Sequence, residues 1–291
     1  MLSKTIDIDG VKVFYREAGD PGSPKLLLLH GFPASSHQYR DLIPALADRF
    51  HVIAPDYPGF GYSDMPAPAD YAYTFDNTAA VMVKLIEKLK FKGFGLYVQD
   101  YGGPVGFRIV DQHPEWLEWL VIQNTNAFEE GFTEVWNELR SNYWKGRPAE
   151  AEKAIGAFLE PPTVYAVYTH GHPDLDKISP DNWNMDNHLL ERPGAKQVQL
   201  DFFYDYRTNV DLYPKWQSWL KERQPKTIIF WGQGDIFFTP QGGELYLTVL
   251  PNAQLHRLDS GHFALEDNLG EITSKMVEFY DATVAKTPEH A

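Results

Sequence analysis

Six short apolar runs, each separated from the next by a longer, more polar stretch, constrain this chain more than anything else in it. They are LLLLH (Leu26 to His30), HVIAPD (His51 to Asp56), FGLYVQD (Phe94 to Asp100), WLVIQN (Trp119 to Asn124), KTIIFWG (Lys226 to Gly232) and AQLHRLD (Ala253 to Asp259). Apolar residues follow one another without alternation, as in strands buried on both faces of a sheet. Such strands pair in parallel and need crossover helices between them, which predicts an α/β fold with a mostly parallel central sheet and flanking helices. One crossover is legible in FDNTAAVMVKLIEKLKF, where Val81, Leu85, Ile86 and Leu89 recur at helical spacing. Ahead of the first run, KTIDIDGVKVFYREAG reads as a hairpin around Asp9-Gly10, a dipeptide suited to a tight turn.

The rhythm changes between about Ala127 and Leu220. Trp136, Leu139 and Tyr143 predict one amphipathic helix and AEAEKAIGAFL another, followed by a Pro-, Tyr- and Asn-rich stretch and then KQVQLDFFYDYRTNV. No buried strand interrupts this region, so it is expected to be a helical cap inserted over the carboxyl edge of the sheet. The expected division is a core of residues 1–126 and 211–291 with a cap of residues 127–210. Aromatic residues make up 14% of the chain and crowd into its middle third, which anticipates an apolar pocket beneath the cap.

The charge balance removes whole classes of partner. With 26 basic and 40 acidic residues the net charge is −14, a field that repels nucleic acid and anionic membrane. The expected partners are a small-molecule substrate and water, in a monomer or homodimer. Absence of cysteine removes disulfides, thiolate chemistry and Cys-based metal sites, and the scattered histidines suggest no metal centre, so no cofactor is expected. No window approaches a membrane span, and a cytoplasmic location is the expectation.

Active sites of open parallel sheets form at the carboxyl ends of strands. In VQDYGGPVG, Asp100 ends a strand and Gly102-Gly103 open a helix, a strand–turn–helix elbow with an acid at its apex. Alone, Asp100 reads equally well as a nucleophile and as a cap for the helix beginning near Pro104. Two further strand ends carry Asp235, in WGQGD, and His262, in SGHFALED. The order acid at the elbow, acid, histidine is that of one catalytic architecture. His30-Gly31-Phe32-Pro33 adds a tight loop whose N–H groups face the same edge.

Together LLLLHGFP, DYPGFGYSD, VQDYGGPVG, WGQGD and SGHFALED resemble the α/β-hydrolase superfamily, in its branch with an aspartate nucleophile: epoxide hydrolases and haloalkane dehalogenases. One position departs from the pattern, since Val98 stands two before the acid where glycine is usual. The resemblance implies Asp100 as nucleophile, His262 as general base oriented by Asp235, and an oxyanion hole from the backbone N–H groups of Phe32 and Tyr101. A carboxylate is apt where the electrophile is saturated carbon. Its attack gives an alkyl ester that water can cleave, whereas serine would give an inert ether.

The leaving group separates the two activities. Epoxide hydrolases use two cap tyrosines as proton donors; Tyr206-Arg207 resembles the pair that holds one of them, with Tyr204 as a rival, and Tyr165 and Tyr168 lie where the other is expected. Haloalkane dehalogenases hold halide with a Trp after the nucleophile plus an Asn or a cap Trp. Here Tyr101 and Phe32 occupy the first two positions, leaving Trp136 and Trp144 as candidates. Epoxide hydrolysis on an uncharged apolar molecule is the first expectation, haloalkane dehalogenation the second, and a non-catalytic ligand-binding relative the third.

Overall fold

A computed structural model describes residues 1–285. The hairpin pairs β1 (Leu2–Ile8) with β2 (Val11–Ala18) in register Ile8 to Val11, and both turn residues adopt positive φ, Asp9 at 53° and Gly10 at 87°. The six apolar runs become β3 (Lys25–Leu29), β4 (His51–Pro55), β5 (Phe94–Gln99), β6 (Leu117–Gln123), β7 (Thr227–Gly232) and β8 (Gln254–Leu258). They form one eight-stranded sheet in the order β1-β2-β4-β3-β5-β6-β7-β8, parallel from β4 through β8. Only β2 runs counter to the rest, antiparallel to both β1 and β4. The chain reverses direction along the sheet after β3, which puts the carboxyl ends of β3 and β5 side by side. Among the described residues, no helix is long and apolar enough to cross a membrane.

Helices cover both faces of the sheet. One apolar cluster joins α1 (Leu42–Leu46) and the later helix Leu265–Phe279 to one face, through residues such as Ile43, Leu46, Ile272 and Met276. The larger cluster joins α2 (Phe75–Lys88), α3 (Gly102–Gln112) and the cap to the other. Helix α2 starts where Thr74 caps it by accepting from the N–H of Asn77 at 3.1 Å. It buries Val81, Leu85 and Ile86 as their spacing requires, while Leu89 packs against the same cluster from just beyond its last turn.

No strand lies between Gln123 and Thr227. That interval holds α4 (Asn137–Ser141), α5 (Ala149–Gly156), α6 (Pro161–Thr169), α7 (Asp181–Leu190), α8 (Ala195–Asp205) and α9 (Arg207–Arg223), with short 3₁₀ turns between them. The stretch around Trp136, Leu139 and Tyr143, expected as one helix, is three pieces, because Asn142 leaves helical geometry and Gly146 turns left-handed at φ 112°. The expected return to the core at Asp211 falls inside the unbroken helix α9. Two further helices complete the fold, the short α10 (Gly242–Leu245) and the long α11 (Leu265–Phe279).

Candidate active site

The elbow is built from steric exceptions. Asp100 sits at φ 48°, a left-handed conformation that costs a non-glycine residue on the order of 1–2 kcal/mol. Three backbone-directed hydrogen bonds hold it there. Its N–H donates to Asn124 O at 3.1 Å, and its carbonyl accepts from Gly103 N–H at 3.0 Å and from Thr125 Oγ1 at 2.6 Å. Gly31 is required opposite, since any Cβ there would collide with the side chain of Asp100. The missing strand-side glycine is also explained. Val98 points at α3, and Gly106 leaves the room it needs; a Cβ on Gly106 would lie 2.7 Å from Val98 Cγ1.

The carboxylate of Asp100 is 3% exposed and asymmetrically bound. Oδ1 accepts from the N–H of Phe32 at 2.6 Å, and the N–H of Tyr101 also donates to the carboxyl group. Oδ2 is left facing His262 Nε2 at 3.9 Å, beyond hydrogen-bond range. Burial raises the pKa of Asp100 to about 6, against the charge of His262 and the two N–H donors, which lower it. The loop that supplies Phe32 is fastened by His30. That ring is wholly buried, stacks on Tyr57 at 4.0 Å, and accepts from Tyr57 N–H at 3.2 Å through Nε2. Burial drives its pKa down to about 3, so it acts as a neutral fastener.

His262 Nδ1 donates to Asp235 Oδ2 at 2.9 Å, both side chains being fully enclosed. Burial depresses the imidazolium, but facing Asp235 and Asp100 carries the pKa of His262 above its ordinary value. Two residues that sequence reasoning passed over complete this arrangement. Asn124, at the carboxyl end of β6 and at φ 35°, donates from Nδ2 to Asp235 Oδ2 at 2.8 Å while its Oδ1 accepts from Gly232 N–H at 2.8 Å. Gln99, the last residue of β5, places Nε2 at 2.8 Å from His262 Nε2. Gln38 Nε2 donates to Gln99 Oε1 at 3.5 Å, which orients that amide with its NH₂ toward the imidazole. Both stand at strand ends, the positional signal that singled out Asp100.

Against Asp100 lies a narrow, almost entirely apolar cavity. Phe32, Asp100, Tyr101 and Phe237 form its floor, and Val135, Trp136, Leu139, Phe158 and Phe203 its roof. The sequence candidates in the cap scatter. Tyr206 is wholly buried, its ring 4.5 Å from Trp136 and 5.9 Å from Tyr101, with its hydroxyl 3.3 Å from that of Tyr213. Tyr204 turns outward instead, under the guanidinium of Arg207 at 3.7 Å, because residues two apart at the α8 end face roughly opposite ways. Tyr165 is 45% exposed and packs on Trp183, so it does not reach the cavity. Tyr168 is buried, but its hydroxyl donates to Asp186 at 2.5 Å and its ring stacks on Phe263. Trp136 lines the cavity with its N–H committed to Phe237 O at 2.9 Å, and Trp144 commits its own to Phe203 O at 2.8 Å.

The model of the α/β hydrolase fold family matches residues 24–269, most of the chain. The chain belongs to that family. An uncharacterized hydrolase of Saccharomyces cerevisiae, YNR064C, is 39% identical over 94% of both chains. A cis-3-alkyl-4-alkyloxetan-2-one decarboxylase of Shewanella oneidensis is 30% identical, over 94% of this chain and 87% of that protein. Haloalkane dehalogenase 2 of Mycobacterium bovis is 26% identical, over 95% and 94%. This α/β-hydrolase is thus similar in sequence to proteins named oxetan-2-one decarboxylase and haloalkane dehalogenase, and similar in fold to the epoxide hydrolase CorEH, at a TM-score of 0.75 and 22% identity over 97% of this chain and 99% of that one.

Proposed function

We propose that the protein hydrolyses an epoxide on an uncharged, apolar small molecule to a vicinal diol, through an ester on Asp100. The supporting observation is the division of labour between the two oxygens of Asp100. Oδ1 is held by the N–H of Phe32 where an oxyanion would develop, the N–H of Tyr101 also donates to the carboxyl group, and Oδ2 faces His262 in a residue that lines an apolar cavity. Attack of Oδ2 on saturated carbon forms the alkyl ester. Water then adds at Cγ, with His262 Nε2 taking its proton and Asp235 steadying the imidazolium. The negative oxygen of that step falls on Oδ1, where one N–H donor is typically worth about 2.7–4 kcal/mol.

The choice of epoxide over halide rests on which donors are free. A departing halide needs N–H groups, and both cap indoles near the site are spent on carbonyl oxygens. A departing oxygen needs a proton, and Tyr206 brings a phenol against Trp136, one of the residues that line the cavity. The relative from Shewanella oneidensis is named for decarboxylation of an oxetan-2-one, a strained cyclic oxygen ring. Dehalogenation is kept as the second reading because of the apolar lining and the relative named haloalkane dehalogenase.

The test is intact mass of a His262→Gln variant after exposure to terminal epoxides or to short haloalkanes. An adduct on Asp100 carrying the epoxide's retained hydroxyl is the expected result. An alkyl adduct with halide release, from haloalkanes alone, would replace epoxide by halide. Absence of any adduct from a substrate that the parent enzyme consumes would sink the covalent reading.

A further inference from the structure

We infer that the substrate's leaving oxygen is bound and protonated by the Tyr101 hydroxyl, the residue directly after the nucleophile, with Tyr206 opposite it. The inference rests on the ester mechanism on Asp100 and goes beyond it in naming a donor on the core side of the cavity. Tyr101 lines the cavity alongside Asp100 and is 2% exposed. Its hydroxyl has no hydrogen-bond partner. A phenol O–H sealed from water without an acceptor is costly, and such groups persist where a ligand completes them. The neighbours explain why nothing in the protein does so. Phe75 at 5.0 Å, Phe202 at 6.0 Å, Phe32 at 6.1 Å and Phe60 at 6.5 Å surround the ring, and none carries an acceptor.

Other buried hydroxyls do not meet these conditions together. Tyr57 is also unpartnered but does not line the cavity, and Tyr168 is bound to Asp186. Tyr206 lies 5.9 Å from Tyr101 between ring centres and shares its hydroxyl with Tyr213. An oxygen atom seated against Asp100 and Tyr101 would thus meet an uncommitted phenol on the elbow side, while the Tyr206 phenol on the cap side is paired with Tyr213. Burial, with the nearby charge of Asp100, pushes the Tyr101 phenol well above its ordinary pKa. It keeps its proton in the resting enzyme and yields it only to a stronger base, such as an alkoxide.

The bookkeeping closes. The Asp100 Oδ2–carbon bond forms as the ring carbon–oxygen bond breaks, and the electron pair goes to oxygen. The phenol proton passes to that oxygen, leaving phenolate. Water adds to the ester carbonyl with one proton going to His262, which returns it to the departing alkoxide. The other proton of that water remains on the regenerated carboxyl and reprotonates the phenolate. The sum is epoxide plus water to diol. The substrate class follows: strained cyclic ethers whose oxygen accepts a proton on leaving.

The measurement is the rate of adduct growth by intact mass in the His262→Gln background, with styrene oxide and with iodobutane as probes. Tyr101→Phe should slow the styrene oxide adduct at least about 100-fold. The iodobutane adduct, whose leaving group takes no proton, should change less than about tenfold. Tyr206→Phe, as a second variant, should show the same selectivity. Melting separates chemistry from packing, because loss of an unpartnered hydroxyl should leave Tm unchanged or higher. An unchanged styrene oxide rate, equal slowing of both probes, or a fall in Tm would overturn the role of Tyr101 while leaving the ester intact. If neither probe adds mass to His262→Gln itself, the ester mechanism fails, and this inference with it.

Discussion

Two buried carboxylates, one in the core and one in the cap, are treated in opposite ways. Asp100 and Asp186 are 3% and 2% exposed, and burial raises both, to about 6 and about 8. Asp100 is given backbone N–H groups, a facing imidazole and an open cavity. Asp186, on α7, is given a phenol donor, Tyr168, and lies within the field of two other acids, Glu266 and Asp56. The core spends main-chain dipoles to keep an acid ionisable near neutral pH. The cap lets its acid stay protonated and uses it as a hydrogen-bonding strut. Burial of a carboxyl group therefore does not mark reactivity; what matters is which donors are aimed at it and whether a substrate can reach it.

The sharpest break in the comparison is removal of the reactive acid. Asp100→Ala is expected to abolish turnover, by at least about 10⁴-fold, and to end adduct formation in the His262→Gln background. Steady-state rates and intact mass check both. The same background exposes the pKa of Asp100 without interference from His262. Attack needs the ionised form, and loss of the His262 charge removes an interaction that lowers the pKa of Asp100, so the alkylation rate should climb about tenfold per pH unit and level off only at a pH above about 6. A rate that is flat from pH 4.5 to 8 would mean that the charge of Asp100 is not what drives the step.

Next in size is the acid that acts through another residue. Asp235 takes the Nδ1–H of His262, the Nδ2–H of Asn124 and the N–H of Phe237 at 2.7 Å. Asp235→Asn keeps the shape but loses the charge and the tautomer control, so hydrolysis of the ester should fall about 10³–10⁴-fold. Alkylation should be nearly spared, since Asp100 does not depend on that proton transfer. Rapid-quench mass spectrometry separates the two steps; equal loss in both would place Asp235 in the first step as well.

The same contrast explains what was legible in the sequence. Asp100, Asp235 and His262 stood out because each ends or closely follows an apolar run, and a parallel sheet brings such ends to one edge whatever the details of packing. Gln99 and Asn124 occupy equally informative positions, but an amide carries no chemical signal of its own. Their roles depend on contacts with residues 163 and 111 positions away. The cap was hardest to read. Trp136, Trp144, Tyr204 and Tyr206 are equivalent as sequence, and only tertiary packing decides which indole N–H is spent and which phenol turns inward. Helical periodicity also failed around Asn142 and Gly146, where backbone geometry breaks what the apolar spacing predicts.

The smallest effect tests the cap side of the comparison and reads stability instead of rate. Folding raises the pKa of Asp186, chiefly by burial, so the folded chain keeps a proton that the unfolded chain has released. Stability from that group therefore falls as pH rises from the ordinary carboxylate range to about 8. Asp186→Asn is neutral in both states and can still accept from Tyr168, so it should remove the slope. The variant should gain Tm over the parent more at pH 8 than at pH 5, by on the order of 2 kcal/mol or about 4–8 °C. Its kcat should stay within about twofold of the parent. Parallel melting curves at the two pH values would show that Asp186 is ionised in the fold. A fall in kcat with unchanged Tm would move it from strut to participant, and the contrast between core and cap would have to be redrawn around Tyr168 and Phe263.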